Sequence, residues 1–74
     1  MTYFPPPSKM AVQMDVVGTI TYVGTALPGS ATSVAVWQVQ KIDESGSPEM
    51  IITWADGNNS FDNIWDDRAI LNYS

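Results

Sequence analysis

The chain has 74 residues, a formal net charge of −5 and neither cysteine nor histidine. That length sets one domain at most, burying only about 60% of the surface its unfolded chain exposes. The missing residue types exclude disulfides, thiolate or imidazole metal sites and any Ser-His or Cys-His nucleophile. Lys9, Lys41 and Arg68 are the only cations, too few for the phosphate backbone of a nucleic acid or for an anionic membrane. A hydrophobic fraction of 45% is too high for a disordered chain. No apolar run reaches membrane-spanning length, and the first residues lack the basic start and apolar stretch of a signal peptide.

Residues 1–13, "MTYFPPPSKMAVQ", read as an extended N-terminal arm, because Pro5, Pro6 and Pro7 fix their own φ and hold their neighbours extended. The arm is either a mobile terminus, a carrier of Tyr3 and Phe4 onto a neighbouring subunit, or a proline-rich ligand for an aromatic groove. Residues 14–74 read as a single small β-domain. "MDVVGTITYVG" (14–24) alternates as one strand, with Met14, Val16, Ile20 and Tyr22 on one face. Gly18 within it marks a bulge or a close approach. Pro28-Gly29 signals the turn of a loop over 25–33. "VAVWQVQKI" (34–42) is the next strand, with Ala35, Trp37 and Val39 on one face. A polar turn and a strand at 49–55 follow. Asp56-Gly57 is a strong hairpin signal, since both central positions tolerate positive φ. "RAILNYS" (68–74) reads as a last strand, with Ala69, Leu71 and Tyr73 together. The spacing predicts an all-β fold: an antiparallel meander of four or five strands, closed as a small barrel or left as a curved sheet. Val16, Ile20, Tyr22, Trp37, Val39, Trp54, Phe61 and Leu71 are its expected core.

The acidic stretch before that last strand, "SFDNIWDDR", has three readings. Paired carboxylates in glycoside hydrolysis face each other across a cleft, whereas Asp66 and Asp67 are adjacent and point apart in an extended chain. No catalytic residue is assigned, and the chain is read as non-enzymatic. Asp56, Asn58, Ser60, Asp62 and Asp67 stand at positions 1, 3, 5, 7 and 12 of a calcium-type loop. That loop lacks its glycine at position six and its bidentate glutamate at position twelve. The expectation is no metal and no cofactor. The favoured reading is turn chemistry, because Asp and Asn accept backbone N–H bonds and tolerate left-handed backbone. Phe61, Ile64 and Trp65 would then plug the core between turns, and Arg68 would pair with Asp66 or Asp67.

Two stretches carry a resemblance: "TYVGTALPGSATSVAVWQVQKID" and "ITWADGNNSFDNIWDDRAILNYS". Their Y-x-G-x-A-x-P-G, A-D-G, F-D-N-x-W-D-x-R-A and closing Y-S elements resemble small virion-associated proteins of tailed bacteriophages, over roughly residues 21–74. The resemblance implies a non-enzymatic structural component of the virion, assembled in the host cytoplasm, without distinguishing head from tail; the favoured expectation is an accessory or adaptor role in the tail, baseplate or fibre. Head decoration is the alternative within that class. A regulatory binding module, or a carbohydrate-binding module presenting Trp37, Trp54 or Trp65, is the alternative outside it. The expected partners are larger virion proteins, with homo-oligomerisation possible. The expected contact residues are Tyr3, Phe4, Pro5, Pro6, Pro7, Trp65 and Arg68.

Overall fold

The computed structural model describes residues 10–74. Its strands are β1 (Ala11–Val17), β2 (Ile20–Ala26), β3 (Ala35–Asp43), β4 (Ile51–Trp54) and β5 (Asn63–Ile64). They form an antiparallel meander in the order β1-β2-β3-β4, with β5 added beside the start of β3. The sheet is open, not a barrel. A short 3₁₀ turn (Trp65–Asp67) follows β5.

The stretch 14–24 is not one strand but a hairpin. Val17 pairs with Ile20 across Gly18-Thr19, and Gly18 has φ +60. Glycine at the first central position, with positive φ, is the residue a type II′ turn needs. β1 also starts earlier than expected, so residues 11–13 belong to the sheet and not to the arm. The rest of the expected arm, residues 1–9 with Tyr3, Phe4, Pro5, Pro6 and Pro7, lies outside the described residues.

The hairpin changes the faces. Residues directly opposite in a pair share a face, so register sorts the sheet into two surfaces. One carries the cross-strand rows Asp15–Tyr22–Lys41–Thr53 and Gln13–Gly24–Val39. The other carries Val12–Thr25–Gln38, Met14–Val23–Gln40–Trp54 and Val16–Thr21–Ile42–Ile52. Met14 and Val16 therefore oppose Ile20 and Tyr22 instead of joining them.

The core sits on the first surface. Ala26, Trp37, Val39, Ala55 and Trp65 are buried there, and Ala11, Tyr22, Leu71 and Tyr73 pack against them half-covered. Trp37 and Val39 are each 1% exposed, as their mid-strand position predicts. Val16, at 67%, and Phe61, at 47%, are not core residues, while Ile20 and Trp54 are half-buried. Trp65 is inside and not at a contact surface. The indole N–H of Trp37 donates to the Ala31 carbonyl at 3.0 Å, so burying it leaves no polar atom unpaired.

Two turns hold the C-terminal segment against this core. Asp56 (φ 58) and Gly57 (φ 70) form the expected tight turn, with Asn58 N–H donating to the Ala55 carbonyl at 3.4 Å. Residues 68–74 are not a strand. The Ile70 N–H donates to Asp67 at 2.9 Å, which continues the turn, and only Tyr73 forms a ladder bridge, to Ala55. Trp54 and Ser74 exchange backbone bonds at 3.2 and 3.1 Å.

Gly24 is the position where the sheet and the 3₁₀ turn meet. A Cβ there would collide with the Trp65 ring and stand 3.1 Å from Cε3 of Trp37. Gly24→Ala is expected to destabilise the domain by on the order of 1–3 kcal/mol through overpacking. Trp37→Ala, which opens a cavity instead, is expected to cost about 3–5 kcal/mol. Urea denaturation read by tryptophan fluorescence and circular dichroism checks both. An unchanged midpoint in either variant contradicts this account of the core.

Candidate functional site

Arg68 organises the acidic segment, but its partner is not Asp66 or Asp67. Its Nε donates to Oδ2 of Asp15 on β1 at 3.0 Å, and its Nη1 donates to the Trp65 carbonyl at 3.3 Å. The guanidinium lies over the Trp65 ring, 4.7 Å from its centroid. The Arg68 carbonyl accepts the Tyr73 hydroxyl at 2.7 Å. One residue, through its side chain and its backbone carbonyl, thus ties β1, the 3₁₀ turn and the C-terminal segment together. Both ends of the ion pair are partly exposed, at 27% and 35%, so the pair contributes about 0–1 kcal/mol.

The calcium-loop positions fall in turns and loop, and of their side chains Asn58 bonds the backbone. Asp56 occupies the tight turn, and the Asn58 side chain accepts the Ser60 N–H at 2.9 Å. Asp62 is exposed, and Asp67 lies in the 3₁₀ turn. Among the described residues, no three carboxylates are grouped so as to share an ion. Asp43 acts similarly between β3 and β4. The Ser45 side chain and backbone N–H hold its carboxyl below the usual range.

Asn63 had no functional signal in the sequence. It is 3% exposed, and its amide donates to the Trp37 carbonyl at 3.1 Å and to the Ser60 carbonyl at 3.4 Å. It bonds the backbone of β3 beside the bulge where β5 joins, as a buried amide must.

Exposed apolar residues occur on both surfaces, Val17 and Ile51 on the first, with a larger group on the second. Val12, Met14 and Val16 on β1, Val36 on β3 and Ile52 on β4 are all exposed. By register the β1 and β4 residues share that surface with half-buried Val23, Ile42 and Trp54. At its Met10 end the surface deepens into a pocket of about 390 Å³, lined by Met10, Leu27, Ser30, Val36 and Phe61. Four of those five side chains are apolar. An array of this kind holds apolar side chains and offers no general acid, base or anion-binding group. Thr21, Thr25, Gln38 and Gln40 stand between these residues in the same cross-strand rows.

No family model, curated protein or solved structure matches this chain.

Tyr73 supplies a pH-dependent test of how the C-terminal segment packs. Burial, with Tyr22 5.9 Å away between ring centroids, pushes its pKa from 10.0 up to about 12. The folded state therefore holds the phenol proton more tightly than the unfolded state. The stability tied to that proton is complete below pH 10 and is lost as pH rises toward 12. Thermal melts across this range should fall more steeply for the wild type than for Tyr73→Phe. Parallel slopes would place the ring in solvent.

Proposed function

We propose that this chain is a non-enzymatic structural protein of a tailed-phage virion, an accessory or adaptor component of the tail, baseplate or fibre. The observation that carries the reading is the apolar second sheet surface with its pocket. Such a surface fits a chain that is completed by a larger protein and is acidic enough to stay soluble until it meets that protein. The resemblance over residues 21–74 names the assembly. The partner is a larger virion protein that offers apolar side chains to the Met10–Phe61 pocket. A carbohydrate-binding role fits less well, because Trp37 and Trp65 are buried in the core and cannot stack on a sugar, which leaves half-buried Trp54 as its one remaining indole. Val36 and Phe61 join the proposed contact residues, while Trp65 is buried in the core and the partly exposed Arg68 is engaged by Asp15.

Gradient-purified particles are expected to contain this chain in stoichiometric amount. Val36→Glu, at the pocket wall, should leave the melting temperature within a degree or two and abolish incorporation. Particles that lack the wild-type chain, or incorporate the variant equally well, would overturn the reading.

A further inference from the structure

We infer that β1 is a homodimerisation edge, pairing antiparallel with β1 of a second copy about a two-fold axis at Met14. The inference concerns the sheet edge alone and stands apart from the virion reading.

The backbone sets which groups are available. The Glu44 N–H donates to the Thr19 carbonyl at 2.9 Å, so in β2 the odd-numbered residues bond toward β3 and the even-numbered ones toward β1. Through the register, Ala11, Gln13, Asp15 and Val17 are the β1 residues bonded to β2. Val12, Met14 and Val16 turn their N–H and C=O groups to the open edge. Soluble sheets blunt such an edge with proline, lysine, a bulge or a covering segment. Among the described residues none of these meets β1, and its one charged side chain, Asp15, lies on the first surface paired with Arg68; the strand runs seven residues in unbroken register. At the opposite edge, the Trp54 end of β4 is covered by the C-terminal segment, through the Trp54–Ser74 bonds and an Asp56 N–H donated to Asn72 at 2.7 Å.

The occupant follows from the strand's own sequence. "AVQMDVV" reads alike in both directions about Met14: apolar, apolar, polar, Met, polar, apolar, apolar. An isologous contact demands this self-complementarity. Centred on Met14, all seven residues pair. Met14 faces Met14 and Val12 faces Val16, giving about six interchain hydrogen bonds from residues whose groups already point outward. Gln13 falls opposite Asp15, so an amide meets a carboxylate, which accepts further bonds beyond the one it takes from Arg68. The neighbouring register centred on Asp15 would set two carboxylates face to face. The one with Gln13 at its centre pairs fewer residues. The dimer joins two second surfaces into one apolar face, with Val12, Met14 and Val16 of both copies along its middle.

The test uses the full chain. Sedimentation equilibrium of the wild type is expected to give a dimer. Met14→Pro removes only N–H groups that make no bond within the monomer, a position where an edge strand tolerates proline. It should keep the circular dichroism spectrum and melting curve while raising the dissociation constant about tenfold to a hundredfold, two interchain donors being lost per dimer. A second variant reads the register without depending on that substitution. Since the chain has no cysteine, Met14→Cys should form a disulfide-linked dimer under mild oxidation, the expected Cα separation of about 5.5 Å suiting that bond. Ile70→Cys, an exposed control at 80%, should cross-link far more slowly. A monomeric wild type, an undiminished dimer in Met14→Pro, or equal cross-linking of the two cysteine variants overturns the proposal. So does a monomer that pairs β1 only with a strand from another protein.

Discussion

The fold depends on one close approach, that of the Trp65 ring to the bare backbone of Gly24. β2 and β3 pair side by side there, and Trp37, 6.1 Å from Trp65 between ring centroids, fills the space beside it. Everything C-terminal to β4 is arranged to bring that ring down. The Asp56-Gly57 turn reverses the chain, β5 lies against the start of β3, and the Asp66 N–H donates to the Thr32 carbonyl at 3.1 Å. Arg68 then stacks on the outside of the same indole and reaches back to Asp15. An acidic sequence that looks like a site is therefore the scaffold of a plug. Asp and Asn serve there because their short side chains satisfy turn backbone, and Trp65 supplies the buried area.

Much of this was legible where local chemistry decides the outcome. β3 was readable because its period-two pattern ends in polar turns, and Trp37 and Val39 occupy its buried positions as that pattern requires. Asp56-Gly57 was readable because few residues accept two successive positive φ values. The hairpin at Gly18 was hidden by parity. A two-residue turn sets Val17 opposite Ile20, so even-numbered residues of β1 join odd-numbered residues of β2. A continuous alternation through 14–24 thus gives the right period and the wrong partners. Val16 looked like core only because Ile20 and Tyr22 did. The last segment failed differently. Leu71 and Tyr73 do share a side, but one bridge and two turns satisfy the backbone where a strand was expected. Tertiary contacts across some fifty residues, such as Arg68 with Asp15, have no local signature at all.

The two sheet surfaces divide the small number of large side chains unequally. Among the described residues five make up the buried core, while Val12, Met14, Val16, Val36 and Ile52 stay exposed on the far surface. A monomer optimised for its own stability would place polar residues there, as half-solvated antiparallel sheets commonly do. Threonine and glutamine do occupy the β2 and β3 positions between these residues. The exposed apolar residues lie on β1, on β4 and at the pocket mouth. The exposed surface was illegible because an exposed valine and a core valine look alike until register assigns the face.

Charge decides when such a surface can be used. Of the described cations, Arg68 is committed to Asp15 and Lys41 lies over the Tyr73 ring at 5.6 Å. The net charge of −5 is thus spread over turns and loops, while the apolar surface carries no charged side chain in its three cross-strand rows. Free copies repel one another at long range, and that repulsion is screened within about 10 Å at moderate ionic strength. Short-range apolar and backbone contacts act inside that distance. Association then adds to a fold whose own margin is thin, because anything that binds only the folded state stabilises it in proportion to its concentration. A five-residue core anchored by one indole on one glycine is enough to define the sheet, and the proposed partner on the opposite surface would supply the burial that the short chain leaves undone.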